Sequence, residues 1–230
     1  MALFVLAGCD AQLVEDDRAE TSLAFPRAER PVSGGSGDSF PSESMRDSLG
    51  EAQKIMDRAD IDEGMTVADI GAGEGYYTVR LSERVGLDGR VLAQDIDREV
   101  LERLGRRVER ERLDNVSIKL GEPDDPQLPS DSFDRIFLVH MYHEVEEPYA
   151  FLWRLWPALA RDGQVIVVDT NRPFDQNGIH PLLLSCEFEA VGFKLIEFVE
   201  KPDIRGYFAR FGRENTRTEP ADIVPCGLEK

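Results

Sequence analysis

The sequence predicts an α/β fold in which a seven-stranded, mostly parallel sheet carries helices on both faces. Short β-rich runs alternate with helical segments from residue 66 onward. Such long connections are what parallel strands need, because a parallel crossover takes a dozen or more residues. The last two strands are separated by about six residues without a helix, which favours an antiparallel pair at one edge of the sheet.

Each element follows from its local pattern. Before the first strand, apolar side chains at helical spacing predict an amphipathic helix that ends before Gly64. The helices between strands are predicted at Gly75–Val85, Arg98–Arg112, Pro148–Leu159 and Pro181–Val191. The strands are predicted at Thr66–Ile70, Arg90–Gln94, Val116–Leu120, Phe133–His140, Gln164–Asp169, Lys194–Val199 and Gly206–Phe211.

The domain that contains this sheet is predicted at residues 45–212. Residues 10–44 are polar and rich in Glu, Asp, Ser, Gly and Pro. Such a composition buries too little apolar surface to offset chain entropy, so we predict a disordered linker there. Residues 213–230 are predicted to be an irregular C-terminal tail, and residues 1–9 are treated with Cys9 below.

The charge balance of the 230-residue chain limits its partners. Lys and Arg number 27 against 45 Asp and Glu, a formal net charge of −18. A surface this negative repels phosphate backbones and anionic headgroups. We therefore predict no nucleic-acid partner and favour a small or neutral molecule as the ligand.

A glycine-rich loop connects the first strand to the next helix. Gly71, Gly73 and Gly75 let the backbone approach a ligand closely, and the helix N-terminus behind them offers free N–H groups to an anion. A dinucleotide fingerprint would need a glycine where this chain has Tyr76. The loop therefore favours a smaller anion, such as a carboxylate, over a pyrophosphate.

Two further segments end at the same edge of the sheet. Asp95 closes the second strand, twenty positions beyond Gly75, and its carboxylate suits the two hydroxyl groups of a ribose. The segment 128–136 opens the fourth strand, which ends at His140. Because the carboxyl ends of parallel strands meet, we predict one ligand site there.

These residues resemble the class I S-adenosylmethionine-dependent methyltransferases over residues 45–212, and within that class a group of bacterial predicted methyltransferases with a Tyr-His-Glu segment after the fourth strand. The resemblance implies a Rossmann-like sheet, S-adenosyl-L-methionine as cofactor and methyl transfer to an unidentified small-molecule acceptor. It implies that the methionine part of the cofactor contacts Asp69, Gly71, Ala72, Gly73 and Gly75, that the ribose contacts Asp95, and that adenine packs on Ile96. It also implies that the adenine amine contacts an acidic residue among Glu122, Asp124 and Asp125, and that the methionine end lies beside His140.

Tyr142 and His143 are the candidate catalytic residues. They lie where an acceptor would approach the methyl group, and either side chain is chemically able to take a proton from a nucleophile. The alternative for His143 is a structural hydrogen bond at a helix cap. We assign no metal site to the histidines. The alternative function is a non-catalytic, lipid-anchored module that binds S-adenosylmethionine or a related adenosyl nucleoside.

Cys9 bears on where in the cell the protein is located. It follows Leu6, Ala7 and Gly8 at the end of a short apolar run, and this segment resembles a truncated bacterial lipoprotein signal over residues 1–9. The resemblance implies a lipidated Cys9, attachment to the inner membrane and a domain that faces the periplasm; the alternative is a cytoplasmic protein. Cys186 and Cys226 are expected to pair if the domain is exported and to stay reduced otherwise.

Overall fold

A computed structural model describes residues 18–33, 42–201, 203 and 206–227 of the chain. The helices are α1 (Glu43–Ser48), α2 (Glu51–Arg58), α3 (Tyr76–Val85), α4 (Arg98–Glu111), α5 (Pro148–Leu155) and α6 (Pro181–Val191). The strands are β1 (Thr66–Ile70), β2 (Arg90–Asp95), β3 (Val116–Leu120), β4 (Phe133–Val139), β5 (Leu159–Asp169), β6 (Phe193–Lys201) and β7 (Gly206–Arg213).

The seven strands form one sheet in the order β3-β2-β1-β4-β5-β7-β6. Strands β1 to β5 pair in parallel, and β7 pairs antiparallel with both β5 and β6. The predicted sheet and its antiparallel edge pair are confirmed. The strand order reverses between β1 and β4, and in such sheets ligands bind at the carboxyl ends of the strands beside that point.

Apolar side chains cover both faces of the sheet. In β4, Ile136 and Leu138 pack with residues of α5 and α6, whereas Phe137 packs on the opposite face with residues of α2 and α3. This alternation follows from the two-residue period of a strand. Helices on both faces, as predicted, therefore bury the central strands and leave the carboxyl edge as the accessible part.

Two helix boundaries differ from the prediction. The helix before β1 is divided into α1 and α2 at Gly50, which has a φ of 62°. The helix predicted to reach Leu159 ends at Leu155, because Trp156–Ala158 forms a tighter 3₁₀ turn and β5 already begins at Leu159. Pro157 lies in that turn, and a proline has no N–H with which to continue a helix.

The linker prediction is wrong for residues 18–33, which we name the N-terminal strap. The strap packs on the domain: Phe25 is buried in the core beside α5, and Ser22 and Ser33 are buried as well. Its polar side chains find partners on the domain, including an ion pair between Arg18 and Glu147. Average composition missed these few specific contacts. Residues 10–17 and 34–41 of the predicted linker lie outside the described residues.

The C-terminal segment is irregular but fixed to the domain. A disulfide joins Cys186 on α6 to Cys226, and the Cys226 N–H donates to the Tyr149 hydroxyl at 2.6 Å. The Trp153 indole N–H also donates to the carbonyl of Thr218 at 3.1 Å. The part of the chain near Cys226 is therefore held against α5 and α6.

In the described ranges, every helix is too short or too polar to cross a bilayer. Cys9 and the predicted signal segment lie outside the described residues.

Candidate functional site

A cleft of about 680 Å³ opens at the carboxyl edge of the sheet. Its walls come from the loops that follow β1, β2, β3 and β4 and from helix α1. Of the predicted site residues, Gly71, Ala72, Gly73, Asp95, Ile96, Glu122 and His140 line it. Most of the predicted cofactor residues therefore share one surface.

The three glycines of the loop after β1 have different roles. All have positive φ, which a side chain disfavours. A Cβ at Gly71 would lie 2.9 Å from the Met141 side chain and one at Gly75 would lie 2.4 Å from Leu104, whereas a Cβ at Gly73 would meet no atom within 4 Å. Gly71 and Gly75 thus serve packing, and Gly73 faces open cleft.

Asp95 links the loops that follow β1 and β2. The Gly73 N–H donates to Asp95 Oδ2 at 2.9 Å, and the Asp97 N–H donates to Asp95 Oδ1 at 3.0 Å. Each carboxylate oxygen keeps acceptor capacity toward the cleft. The next residue, Ile96, lines the cleft with 56% of its surface exposed. A carboxylate beside an exposed apolar side chain suits a sugar diol attached to a flat ring.

Asp69 lies beneath the cleft instead of lining it, so the structure does not support its predicted contact with a cofactor. Its buried carboxylate accepts a hydrogen bond from the Thr78 hydroxyl at 2.6 Å. Burial raises the pKa of Asp69 to about 6, and the hydrogen bonds from Thr78 oppose that rise. Asp69 therefore fixes the end of β1 to helix α3 and supports the glycine loop from below.

Of the acidic residues considered for an adenine amine, the structure places Glu122 in the cleft and Asp124 outside it. Asp124 is buried, and its Oδ2 accepts from Thr21 at 2.7 Å, Ser22 at 2.6 Å and Arg154 at 2.8 Å. These hydrogen bonds lower the pKa of Asp124 although burial opposes them. The structure thus places the Asp124 carboxylate against the N-terminal strap and Arg154, and not at the predicted adenine contact.

Sequence reasoning missed Arg46, the cation on the α1 wall of the cleft. Arg46 forms an ion pair with Glu51 at 2.5 Å, and its guanidinium lies 3.7 Å from the centre of the Tyr76 ring. Glu51 Oε1 also lies 3.8 Å from His140 Nε2. Burial lowers the pKa of His140. Arg46 lay within a predicted amphipathic helix, and no local pattern marked it as a site residue.

Tyr142 lies in the core and does not line the cleft. Its side chain is fully buried, and its hydroxyl donates to Glu187 Oε2 at 2.8 Å. Burial, with the nearby carboxylate of Glu187, raises the pKa of Tyr142 well above the ordinary value. The 3₁₀ turn Tyr142–Glu144 directs this ring into the core.

His143 is also buried, but its ring forms a distinct pair with Asp169 at the end of β5. His143 Nδ1 lies 2.9 Å from Asp169 Oδ1. His143 Nε2 has no hydrogen-bond partner among the described residues, and it lies 3.9 Å from Glu144 Oε1. Glu144 lines the cleft, whereas His143 itself does not. In the described ranges, no group of three potential ligands is placed to hold a metal ion.

Residues 67–163 match the protein family described as methyltransferase domain. Over this segment the chain is similar to methyltransferase domains. The segment contains the glycine loop, Asp95, the cleft residue Glu122 and the turn after β4. S-adenosyl-L-methionine is the cofactor that this family and the class I fold imply.

Two relatives with sequence similarity to this chain are also methyltransferases. The chain is 28% identical over 169 residues to a ubiquinone/menaquinone biosynthesis C-methyltransferase from Methylococcus capsulatus, covering 72% of this chain and 65% of the relative. It is 33% identical over 94 residues to a protein-L-isoaspartate O-methyltransferase from Methanothrix thermoacetophila, covering 41% of this chain and 45% of the relative. The chain thus spans less than two thirds of the length of either relative.

A crystal structure of a SAM dependent methyltransferase from Aquifex aeolicus matches with a TM-score of 0.65 at 24% identity, covering 75% of this chain and 98% of that one. The two chains share the fold.

The cleft residues fit this cofactor. The cleft places the open backbone at Gly73 beside Asp95, and Ile96 provides the apolar surface next to it. Arg46 provides a cation on the wall of the same cleft. An amino-acid carboxylate, a ribose diol and a purine each find a matching group.

Proposed function

We propose that the protein transfers a methyl group from S-adenosylmethionine to a small-molecule acceptor. One observation carries the proposal: in a chain with a matched methyltransferase domain, the Asp95 carboxylate holds the N–H of Gly73 at the open part of the cleft. When bound, the cofactor supplies a methyl group already activated on a sulfonium. The protein has mainly to align the reactants, which is worth several kcal/mol of barrier.

Each cleft residue has a role in that alignment. Asp95 accepts hydrogen bonds from the ribose while it fixes the glycine loop, and Ile96 packs against adenine. Glu122, the cleft residue from the loop after β3, accepts from the adenine amine. Arg46 pairs with the cofactor carboxylate, with Glu51 and Tyr76 holding the guanidinium in place.

The charge of the cleft limits the acceptor. Glu43, Glu74, Glu122 and Glu144 line it together with Asp95. This excess of carboxylates disfavours a nucleic acid or another polyanion and favours a neutral small molecule. Of the two relatives named above, the ubiquinone/menaquinone biosynthesis C-methyltransferase supports a small-molecule acceptor, whereas the name of the other specifies a protein acceptor.

Calorimetric titration tests the cofactor assignment. We expect S-adenosylmethionine, but not NADH, to bind the wild-type chain, and Asp95→Ala to weaken binding at least tenfold. Asp97→Asn is the matched control, because asparagine retains the N-cap that Asp97 gives α4. Undiminished binding by Asp95→Ala, or no binding by wild type, would contradict the proposal.

We also propose that the domain is exported and anchored through a lipidated Cys9. The Cys186–Cys226 disulfide supports export, because such bonds persist in oxidising compartments. Mass spectrometry of the N-terminal peptide from bacterial membranes tests the anchor, and an unmodified Met1 in cytosolic protein would overturn it. A thiol count on the denatured protein tests the disulfide, for which we expect no free thiol at Cys186 or Cys226.

A further inference from the structure

The proposed methyl transfer leaves open which group removes the acceptor's proton, and the turn after β4 holds a buried arrangement that the cofactor does not use. His143 and Asp169 are both buried, with His143 Nδ1 at 2.9 and 3.1 Å from the two Asp169 oxygens. Asp169 Oδ1 also accepts from the Thr170 N–H at 2.7 Å. Asp169 therefore acts as an acceptor, and Nδ1 is the protonated nitrogen of the neutral ring.

This tautomer leaves a lone pair on His143 Nε2. Nε2 lies 3.9 Å from Glu144 Oε1 and has no hydrogen-bond partner among the described residues. The lone pair of a neutral imidazole and a carboxylate oxygen are both acceptors, so no hydrogen bond forms between them until a proton arrives. His143 Nε2 and Glu144 Oε1 can therefore form a hydrogen bond only after one of them takes up a proton.

Glu144 connects the pair of His143 and Asp169 to the cleft. His143 is 1% exposed, whereas the Glu144 side chain is 46% exposed and lines the cleft. An acceptor in the cleft therefore meets Glu144 first. Partial burial, with the nearby charges of Asp169 and Asp95, raises the pKa of Glu144, and His143 opposes that rise. A carboxylate with a raised pKa is a stronger base than an ordinary one.

We propose that Glu144 is the general base of the reaction and that His143, held by Asp169, is the positioning residue behind it. This inference rests on the proposed function. The acceptor is then a neutral molecule whose attacking atom carries a proton, such as a phenol or a hydroquinone.

The reaction balances with these groups alone. The acceptor's O–H proton passes to Glu144 Oε1, and an electron pair of the resulting oxygen anion forms the bond to the methyl carbon. The carbon–sulfur bond breaks, and its electron pair stays on sulfur as S-adenosylhomocysteine leaves. Protonated Glu144 then donates toward His143 Nε2 and returns its proton to solvent before the next cycle.

Three measurements on the full chain test this proposal, with Glu144→Gln as the main variant. Because Glu144 is exposed, this variant is expected to fold. Glu189→Gln, an exposed α6 residue away from the cleft, is the control for the lost charge. Calorimetry with S-adenosylmethionine comes first: binding by wild type and by both variants shows that the cofactor site is intact, whereas no binding by wild type refutes the proposed function itself.

The second measurement is release of S-adenosylhomocysteine with catechol and with 1,4-naphthohydroquinone as probes. We expect Glu144→Gln to lower kcat about 10²- to 10⁴-fold with little change in KM, the usual effect of losing a general base. We expect wild-type kcat to fall at low pH as Glu144 becomes protonated, and the variant to lose that dependence. A Glu144→Gln rate within twofold of wild type would overturn the proposal.

The third measurement needs no acceptor and decides the matter if neither probe is methylated. Carbon-13 NMR follows the Glu144 carboxyl through a pH titration, assigned by its absence in Glu144→Gln. We expect it to titrate above the ordinary glutamate range, and His143→Gln to shift that titration because the His143 ring lies 3.9 Å from Glu144 Oε1. An ordinary titration that ignores His143 would refute the proposal while leaving the cofactor assignment intact.

Discussion

Arg30 of the N-terminal strap and Glu187 of α6 form a buried ion pair, with Arg30 Nε 2.7 Å from Glu187 Oε1 and both side chains at most 1% exposed. Arg30 also donates to the carbonyl of Val145 at 2.9 Å, and the Tyr142 hydroxyl donates to the other Glu187 oxygen. Burial raises the pKa of Glu187, whereas Arg30 and Tyr142 oppose that rise. The strap therefore supplies the cation that pairs with a core carboxylate.

Removing that cation is expected to destabilise the fold strongly. Arg30→Met leaves Glu187 buried with Tyr142 alone, and breaking a buried pair in this way costs about 3–5 kcal/mol. Urea denaturation measures the change in the free energy of unfolding. Arg27→Met, at an exposed position of the same strap, is the control. A cost below about 1 kcal/mol for Arg30→Met would show that the strap is not held by this pair.

The sequence was sufficient for the sheet and for the glycine loop because both depend on local information. Strand periodicity and connection length determine the sheet, and the spacing of Gly73 and Asp95 determines where two strand ends meet. The strap could not be predicted, since Arg30 and Glu187 lie 157 positions apart. The burial of Tyr142 could not be predicted either. Side-chain direction in the turn after β4 follows from the backbone at His140, which has a φ of 54°.

Asp124 and Glu122 are expected to respond oppositely to substitution. Asp124→Ala removes the acceptor of Ser22, Thr21 and Arg154, so the strap should become more susceptible to trypsin, with S-adenosylmethionine affinity within about twofold of wild type. Glu122→Ala should weaken cofactor binding about tenfold, the value of one charge-assisted hydrogen bond, with no change in proteolysis. Calorimetry and limited trypsin digestion on both variants check this. Loss of affinity in Asp124→Ala alone would assign the adenine contact to Asp124 after all.

Substitutions at Gly73 and Gly75 are expected to affect cofactor binding and the stability of the fold differently. A Cβ at Gly75 would lie 2.4 Å from Leu104 Cδ1, so Gly75→Ala should cost about 2–4 kcal/mol of unfolding free energy through overpacking and positive φ. Gly73→Ala adds a methyl group to open cleft, so it should cost only about 1–2 kcal/mol and lower S-adenosylmethionine affinity at least tenfold. Thermal denaturation and calorimetry distinguish the two. Normal cofactor affinity in folded Gly73→Ala would place the ligand elsewhere.

Asp69 should make stability depend on pH in a direction opposite to that of an ion-paired carboxylate. Its pKa is about 6 in the folded chain against an ordinary value of 3.8, because burial disfavours the charged form. The native state therefore binds the proton more tightly than the unfolded state. The stability that this proton contributes is complete below pH 4 and is lost as the pH rises through 6.

Asp69→Asn is uncharged throughout and still accepts the hydrogen bond from Thr78. Relative to wild type, the variant should therefore gain up to about 3 kcal/mol of unfolding free energy between pH 4 and pH 7, since each unit of pKa difference is worth about 1.4 kcal/mol. Urea denaturation at several pH values measures the difference, with Asp88→Asn, at an exposed position, as the control for one lost charge. A difference that stays constant over this range would mean that Asp69 ionises in the folded chain as easily as in the unfolded one, and that the glycine loop rests on a hydrated carboxylate.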